Sequence, residues 1–539
     1  MSSCKRAGII LCGCNGNISG AIDLVRVADC LEECDGVEVE TVDDLCDDTR
    51  FLKAKEIAKR VDCLVIAGCT DKECMARFRA VIEETKLPYF SCDFVNLKQE
   101  CVGITSSAEI EKYALLAVRG CLEKLRAGLD LAEKAVPVMS SRDETLTRRQ
   151  FFRLPLKFVR YEEIPVLNKE RCIAGSSVCS ACIDRCPTGA IVKDDTGMVH
   201  LQGEECQTCG LCSVVCPLDC FEMPTFSNAH AVAMLSALAS SEVQLADRRL
   251  IFTCDRGRTR IDKLIDGGWK MPGSFVVRVP CLATISPMVL LRVMELGFDA
   301  AVLFCPQDRC GKQTALEKWE KVFGSLQELS TALTTPFRLK LVKNPGEDST
   351  SSTVVEAFQE IGLACGKSRI NKNAVPLDSS SAREGLVSVL GSLVKDEQSC
   401  LSINNLPLPF YSLQIDVEKC SMCGVCVRNC PSSALAMTEG EESTLQFSHY
   451  NCLGCGTCFE QCPENAITLT PTLDLPKLLG KTIEVKHRDD LARCQVCHRP
   501  IGKKSTLQNV ERRLKEKGLN KALEMLYRCE TCKALDAFE

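Results

Sequence analysis

The sequence predicts an α/β plus α+β multidomain protein, and three observations support that prediction. The chain has 539 residues, which is room for several domains of ordinary size. Two stretches alternate short apolar segments with amphipathic ones, which is the pattern of two doubly wound parallel-sheet domains. The chain also has 39 cysteines, many in tight runs that predict small domains organised by bound metal.

The first α/β stretch begins close to the N-terminus. Short buried strands are predicted at Ala7–Leu11, Cys63–Gly68 and Pro88–Ser91. Helices are predicted at Gly20–Glu33, Phe51–Arg60, Glu73–Lys86 and Ser107–Ala127. Strands that alternate with helices pair in parallel and place the helices on the faces of the sheet.

Composition excludes several classes of function. Lys and Arg total 66 against 72 for Asp and Glu, which gives a net charge of −6. A chain with this charge does not have the excess of positive charge that is typical of proteins that bind nucleic acid or an anionic membrane surface. The longest apolar stretches, such as Ser286–Leu291, are far shorter than the ~20 residues of a membrane span. The N-terminus does not have the pattern of a signal peptide. We therefore expect a cytoplasmic protein with no nucleic-acid partner and no membrane span.

The cysteines predict metal rather than disulfides, because disulfide-rich chains are usually short and secreted. Only five histidines accompany them, which nearly excludes sites built on several imidazoles. Thiolate ligands select iron–sulfur clusters, zinc and Cu(I).

Two stretches each repeat the run Cys-x2-Cys-x2-Cys-x3-Cys-Pro of bacterial ferredoxins. Three thiolates of one run bind one [4Fe-4S] cluster, and the fourth reaches the neighbouring cluster. The predicted sets are Cys172, Cys179, Cys182 and Cys216; Cys206, Cys209, Cys212 and Cys186; Cys420, Cys423, Cys426 and Cys462; and Cys452, Cys455, Cys458 and Cys430. Zinc is the alternative metal for these sets. The gap Cys172-x6-Cys179 is longer than usual and allows a looser or lost cluster there.

Cysteines also stand at predicted strand ends in both α/β stretches. In the first stretch, Cys12, Cys14 and Cys69 occupy such positions. In the second stretch, Cys254, Cys281, Cys305 and Cys310 do so. Ligands of open α/β sheets sit at the carboxyl ends of the strands, so these thiols are predicted to converge on a metal. The alternative is ordinary buried cysteine, which is a common core residue.

Residues 249–320 resemble the iron–sulfur D-type subunits of methyl-viologen-reducing hydrogenases. That family carries a [2Fe-2S] centre on dispersed cysteines and passes electrons to heterodisulfide reductase. The resemblance implies that Cys254, Cys281, Cys305 and Cys310 are ligands of such a centre. The chain departs from the family at Gly257, where a further cysteine is usual.

Residues 7–105 resemble the N-terminal domain of the A-type subunits of heterodisulfide reductase. The matching stretches are 11–18, 45–48, 65–69 and 96–101, and their cysteines are Cys12, Cys14, Cys46, Cys69 and Cys101. The resemblance implies a further iron–sulfur cluster in this domain. The Gly-x-Gly-x-x-Gly turn of the family's flavin domain is not found after any strand of this chain, so no FAD is expected.

The C-terminal stretch has two paired cysteine knuckles, Cys494-x2-Cys497 and Cys529-x2-Cys532, separated by a charged helix predicted over Leu507–Leu526. Paired knuckles are typical of a structural Cys4 zinc site. A further [4Fe-4S] cluster and the absence of metal remain alternatives. His498 is a possible substitute ligand.

The predicted domain order follows from these motifs. It is 1–135, heterodisulfide-reductase-like α/β domain; 136–165, linker; 166–228, ferredoxin module; 229–370, hydrogenase-subunit-like α/β domain; 371–411, linker; 412–475, ferredoxin module; and 476–539, Cys4 domain. No catalytic residue is recognised. We expect an electron-transfer subunit of a larger oxidoreductase complex, whose catalytic partner is a hydrogenase, a formate dehydrogenase or heterodisulfide-reductase-like subunits. Its other expected partners are heterodisulfide-reductase-like proteins or ferredoxins. The alternative is a redox-sensing or cluster-assembly protein.

Overall fold

The structure is a computed structural model, and it describes most of the chain. The described residues are 6–45, 47–69, 84–85, 87–103, 109–135, 138–140, 160–270, 272–307, 310–333, 338–343, 355–357, 359–360, 371, 374, 382–394, 402–404, 408–438, 440 and 442–536. They form two compact units. The first unit is Met1–Arg171, Cys182–Val192 and His200–Val394, and the second is Cys172–Ala181, Lys193–Val199 and Lys395–Glu539.

The first α/β domain has a four-stranded parallel sheet in the order β2-β1-β3-β4. Its strands are β1 Ala7–Cys12, β2 Val37–Val42, β3 Cys63–Gly68 and β4 Cys92–Asn96. Its helices are α1 Leu24–Glu32, α2 Asp48–Ala58 and α3 Ile110–Lys134. The parallel α/β prediction for this stretch is therefore confirmed.

Two details of the predicted strands are wrong. Strand β2 is missing from the prediction, although its alternation of Val and Glu is the pattern of a half-buried strand. At Pro88–Ser91 the chain forms a 3-10 turn over Tyr89–Ser91, and β4 begins only afterwards. The helix predicted at Glu73–Lys86 lies almost wholly outside the described residues.

The second α/β domain repeats the same topology. Its strands are β11 Arg249–Thr253, β12 Ser274–Arg278, β13 Ala300–Cys305 and β14 Arg338–Lys343, all parallel in the order β12-β11-β13-β14. Its helices are α7 Asp255–Asp266, α8 Pro287–Glu295, α9 Gln313–Ala332 and α10 Ala382–Leu393. In both sheets the winding direction reverses between the first and third strands, where an open α/β sheet leaves its ligand crevice.

Along the chain, short elements lie between the two sheets, and most of them belong to the first ferredoxin region. They are β5 Val138–Ser140, β6 Arg160–Glu162, β7 Val166–Leu167, α4 Ala181–Arg185, β8 Ile191–Lys193, β9 Val199–Leu201, α5 Leu211–Val215, β10 Phe221–Glu222 and α6 Asn228–Leu238. Helix α6 packs along α3, and the contact is close enough that a Cβ atom at Gly128 would lie 1.8 Å from the His230 ring. The two α/β domains are thereby joined within the first unit.

A buried charge network reinforces that joint. Lys124 Nζ on α3 lies 2.7 Å from the Asp93 carboxylate on β4, and Arg278 on β12 lies 3.5 Å from it. Burial works to raise the pKa of Asp93, but the two cations outweigh it and hold the pKa below its ordinary value. The carboxylate is therefore charged at neutral pH.

The second unit contains the second ferredoxin region and the C-terminal stretch. Its elements are β15 Ser402–Asn404, β16 Tyr411–Ile415, α11 Val425–Arg428, β17 Leu435–Thr438, β18 Glu442–Ser448, α12 Thr457–Glu460, β19 Ile467–Asp474, α13 Leu475–Leu479, β20 Ile483–Arg493, β21 Pro500–Lys503, α14 Lys504–Glu516, α15 Asn520–Leu526 and α16 Glu530–Asp536. Two antiparallel sheets have the orders β15-β19-β16 and β17-β18-β20-β21.

The single helix predicted over Leu507–Leu526 is wrong in one respect. The chain forms two helices, α14 and α15, because Gly518 takes a left-handed φ of +66° that ends α14. Helix α14 contacts the second ferredoxin region. Thr506 Oγ1 donates a 2.7 Å hydrogen bond to the carbonyl of Ser421, and Arg513 lies 2.7 Å from the Glu464 carboxylate.

A helix that crosses a bilayer needs about 20 predominantly apolar residues. Among the described residues, no helix is both long enough and apolar enough to do so.

Candidate metal centres

The second ferredoxin region encloses two cavities lined by cysteines. One has about 370 Å³ of empty volume, and its lining includes Cys420, Cys423, Cys426 and Cys462. The other has about 330 Å³, and its lining includes Cys430, Cys452, Cys455 and Cys458. Each cavity thus gathers the four cysteines that the sequence assigns to one cluster, three from one run and one from the other.

The backbone of these loops follows a repeated left-handed pattern. In three of the four runs, one residue with a positive φ stands two positions after the first cysteine and another stands one position after the second. These pairs are Thr208 and Gly210, Met422 and Gly424, and Gly454 and Gly456. The second residue of each pair is a glycine, and it is the N-cap of the short helix that contains the third cysteine of the run. The loop therefore curls so that three thiols can face one centre.

A second shared feature is a hydrogen bond to the sulfur of the cysteine that precedes proline. The residue four positions later donates its N–H to the sulfur: Cys220 to Cys216 at 3.4 Å, Ala434 to Cys430 at 3.2 Å and Ala466 to Cys462 at 3.3 Å. At Cys186, burial works to raise the pKa, but N–H groups that include that of Ala190 lower it overall. Such N–H donors stabilise negative charge on a ligand sulfur.

In the first ferredoxin region the structure brings Cys186, Cys206, Cys209 and Cys212 together. Burial raises the pKa of Cys212 well above its ordinary value, and the charges of the other three cysteines and of Cys182 add to that effect. The other predicted set is divided between the units, with Cys182 and Cys216 in the first. Its members Cys172 and Cys179 belong to the second unit, and this set stays a prediction from the sequence.

The unusual spacing after Cys172 has a structural counterpart. Between 173 and 185, all of which the structure describes, no residue has a positive φ. The run Cys179-x2-Cys182 therefore lacks the left-handed residues that the other three runs share. Its loop is built differently, as the longer gap suggests.

In the second α/β domain four cysteines converge at the carboxyl edge of the sheet. Cys254 directly follows β11 and caps α7, and Cys305 ends β13. Burial, with the nearby Cys254 and Cys310 adding to its effect, raises the pKa of Cys305 to about 12. Burial likewise raises the pKa of Cys281 to about 12, with Cys209 and Cys305 adding to it.

The packing around Gly257 accounts for the absence of a cysteine at that position. A Cβ atom there would lie 1.9 Å from Thr253 Oγ1 and 3.2 Å from the Phe304 ring. Thr253 Oγ1 also donates a 2.9 Å hydrogen bond to the carbonyl of Phe304. This packing leaves no room for a cysteine side chain at 257.

In the first α/β domain the structure brings together Cys12, Cys14 and Cys69, at the crevice between β1 and β3. The sulfurs of Cys12 and Cys14 lie 3.6 Å apart, and the N–H of Cys69 donates to Cys14 Sγ at 3.2 Å. The hydrogen bond with Cys14 is the largest influence on the pKa of Cys12, which falls to about 7 despite burial. Cys46 lies outside the described residues. Cys101 is buried and lines a cavity beside α3.

The C-terminal cysteines form the tightest group. The sulfurs of Cys494, Cys497, Cys529 and Cys532 all lie within 4.8 Å of one another, and no other group of three or more His, Cys, Asp or Glu ligand atoms among the described residues is so compact. One Zn²⁺ with Zn–S bonds of about 2.3 Å places its four sulfurs about 3.8 Å apart. Each thiolate of a cubane binds its own iron, so that set is wider. His498 does not belong to this group.

Three residues near these groups were not singled out by the sequence. Thr457 Oγ1 accepts the N–H of Val178 at 3.3 Å and contacts Cys455 Sγ at 3.3 Å. Lys312 Nζ reaches the loop between Cys206 and Cys209. The backbone N–H of Cys220 donates to Cys216 Sγ at 3.4 Å. No sequence motif marks Thr457 or Lys312, because each acts on a loop that is distant along the chain.

Comparison with protein-family models finds two matches. Residues 419–466 match the 4Fe-4S dicluster domain, and residues 250–361 match the delta subunit of methyl-viologen-reducing hydrogenase. The family resemblance expected for the second α/β domain is therefore confirmed.

Comparison with curated proteins finds iron–sulfur subunits. The chain is 33% identical over 141 residues to the iron-sulfur A-type subunit of the CoB–CoM heterodisulfide reductase of Methanocaldococcus jannaschii, which covers 25% of this chain and 22% of that protein. It is 23% identical over 260 residues to an A-type subunit of the same reductase from Methanopyrus kandleri, covering 40% of this chain and 38% of that protein. The chain spans about a fifth of the length of the first reductase subunits it matches.

A third relative is short and is matched over most of its length. The chain is 32% identical over 90 residues to pyruvate synthase subunit PorD of Thermotoga maritima, covering 17% of this chain and 83% of that protein. The chain therefore belongs to the 4Fe-4S dicluster ferredoxin family, and it joins that domain to a segment similar to the A-type subunits of heterodisulfide reductase and to a segment of the methyl-viologen-reducing hydrogenase delta-subunit family.

Proposed function

We propose that this chain is a multi-cluster electron-transfer subunit of a larger oxidoreductase complex. It would relay single electrons between a catalytic partner and other carriers, the partner being a hydrogenase, a formate dehydrogenase or heterodisulfide-reductase-like subunits. Iron–sulfur clusters, when bound, accept and release one electron at a time. The proteins that share its segments are, by name, subunits of heterodisulfide reductases and of methyl-viologen-reducing hydrogenase.

The observation that carries the proposal is the pair of cysteine-lined cavities in the second unit. Their linings agree with the ligand pairing of a two-cubane ferredoxin, and N–H donors point at Cys430 and Cys462. We assign two [4Fe-4S] clusters to these cysteines on this basis, and the matching runs of the first ferredoxin region would hold two more. The converging Cys254, Cys281, Cys305 and Cys310 supply four thiolates for a [2Fe-2S] centre.

Contacts between cysteine loops support relay rather than isolated storage. In the second unit, the hydroxyl of Thr457 links Val178, which adjoins Cys179, to Cys455. The two ferredoxin runs are thus in hydrogen-bond contact through one side chain. A chain of neighbouring one-electron centres suits movement of electrons over distance.

Two further centres belong to the proposal. Cys12, Cys14 and Cys69 would hold part of a cluster in the first domain, together with ligands such as Cys46 and Cys101 that the sequence implies. The compact group of four C-terminal cysteines would hold one zinc ion, since its sulfurs are spaced for a single metal.

The experiment that tests the function is a redox titration of anaerobically purified protein, followed by EPR with dithionite as reductant and methyl viologen as mediator. Wild type should show at least four reversible one-electron centres beside a [2Fe-2S] signal. Cys281→Ser should remove only the [2Fe-2S] signal, and Cys30→Ser, a half-buried cysteine of α1, should remove none. A protein that contains mainly zinc and little iron would overturn the proposal.

A further inference from the structure

The first ferredoxin region and the second α/β domain touch directly at their cysteine loops, within the first unit. A Cβ atom at Gly210 would lie 2.2 Å from Thr284 Cγ2, so the loop after Cys209 packs on Thr284. Thr284 in turn holds Cys281: its Oγ1 accepts the Cys281 N–H at 3.3 Å and donates to the Cys281 carbonyl. Two groups of cysteines therefore stand side by side.

One cation lies at this contact. Lys312 follows Cys310 by two residues, at the start of α9. Its Nζ donates hydrogen bonds to Thr208 Oγ1 at 2.9 Å and to the Thr208 carbonyl at 3.1 Å. Thr208 lies between Cys206 and Cys209, so an ammonium anchored in one domain is fixed inside the cysteine loop of the other.

Lys312 stands next to both groups of cysteines. Along the chain it lies two residues after Cys310, and in space its ammonium is bonded to Thr208, which lies between Cys206 and Cys209. A positive charge placed there stabilises negative charge in either group.

We propose that Lys312 is a positioning residue shared by two redox centres and that it raises the reduction potential of both. One centre is the cluster of Cys186, Cys206, Cys209 and Cys212, and the other is the centre of Cys254, Cys281, Cys305 and Cys310. Reduction of either centre adds one electron and no atom, so its negative charge increases by one. A nearby ammonium in a half-buried site favours that increase.

A shared cation shifts both potentials in the same direction, because its charge lies beside both centres. The inference rests on the proposed function, since it needs both centres to be loaded. The inference goes beyond the proposed function by naming one residue that sets the reduction potentials of both centres.

The test is an EPR-monitored potentiometric titration of Lys312→Met, Lys312→Arg and wild type, with Lys263→Met as control. Lys263 is an exposed cation of α7 in the same domain, and its loss removes the same charge from the protein. Lys312→Met should shift both potentials to more negative values. Lys312→Arg should retain the wild-type potentials, and Lys263→Met should change neither.

The inference is overturned if Lys312→Met shifts only one centre or neither, or if Lys263→Met has the same effect. If Lys312→Met loses iron, a second measurement decides. In fully reduced wild type, the two adjacent spins should broaden or split each other's EPR signals, and Lys312→Arg should keep that interaction. If wild type shows no such spin–spin interaction, the two centres are not adjacent and the inference is overturned. Absence of the two signals themselves in wild type would instead refute the proposed function.

Discussion

At the scale of single residues, the loop between Cys452 and Cys455 depends on a glycine packed against an aromatic ring, whereas Thr208 and Met422 hold the equivalent left-handed positions of two other loops. Gly454 has a φ of +66°, and a Cβ atom there would lie 2.0 Å from the Tyr411 ring. A left-handed conformation costs an ordinary residue about 1–2 kcal/mol, and the clash with the ring adds to that cost. The glycine is needed for the shape of the loop between Cys452 and Cys455.

We therefore expect Gly454→Ala to lose the cluster of its own cavity. Iron analysis should fall by about four atoms per chain, the content of one cubane. Gly440→Ala is the matched control, because a Cβ atom there meets nothing nearer than 3.8 Å. Full iron content in Gly454→Ala would show that the loop adapts and that the argument from φ is wrong.

The hydroxyl of Thr457 is a second residue-scale feature. It stands beside Cys455 Sγ, to which it donates when that sulfur is a thiolate ligand. Removing the donor in Thr457→Val should leave the iron content unchanged and shift one cubane potential to a more negative value. Thr457→Ser should behave as wild type. A redox titration followed by EPR checks this, and equal potentials in the Val variant would contradict it.

At the scale of elements, we expect the two cysteine knuckles to hold the C-terminal helices α14, α15 and α16 in place. Cys529 lies at the start of α16, and its N–H donates to Cys494 Sγ at 3.3 Å. Structural zinc contributes folding energy, because the liganded state is the folded one.

Replacing Cys529 with Ser should therefore loosen the last ~50 residues, since metal binding and folding are coupled. Limited proteolysis should show faster loss of the C-terminus, while the EPR spectrum of the ferredoxin cubanes is unchanged. A chelator added to wild type should reproduce the effect. Loss of iron and of an EPR signal in the variant would mean that these cysteines bind a cluster.

At the scale of the whole molecule, the proposed centres fix a metal content. Four cubanes contain about 16 iron atoms, a [2Fe-2S] centre makes about 18, and a cubane in the first domain would make about 22, beside one zinc. Anaerobic metal analysis should find at least about 16 iron atoms per chain on that stoichiometry. The acid-denatured protein should release no flavin, because the sequence lacks the phosphate-binding turn. Stoichiometric FAD would contradict this expectation.

Much of the candidate site could be predicted because its information is local. A run such as Cys420-x2-Cys423-x2-Cys426 places three thiols on one turn of chain, whatever surrounds it. Strands β1 and β3 were equally visible, since each is a continuous apolar segment. Strand β2 was not predicted, because the strand predictions rest on continuous apolar segments and β2 alternates Val with Glu.

The sequence by itself determined the families, the ferredoxin runs and the parallel α/β character. Tertiary structure decided which distant residues meet. Cys254 and Cys305 become neighbours only because β11 and β13 pair in parallel and end at one edge. Lys312 reaches Thr208, and Thr457 reaches Val178, across more than a hundred positions of chain. No spacing rule connects such residues, because packing of separate elements, rather than the local backbone, sets their distance.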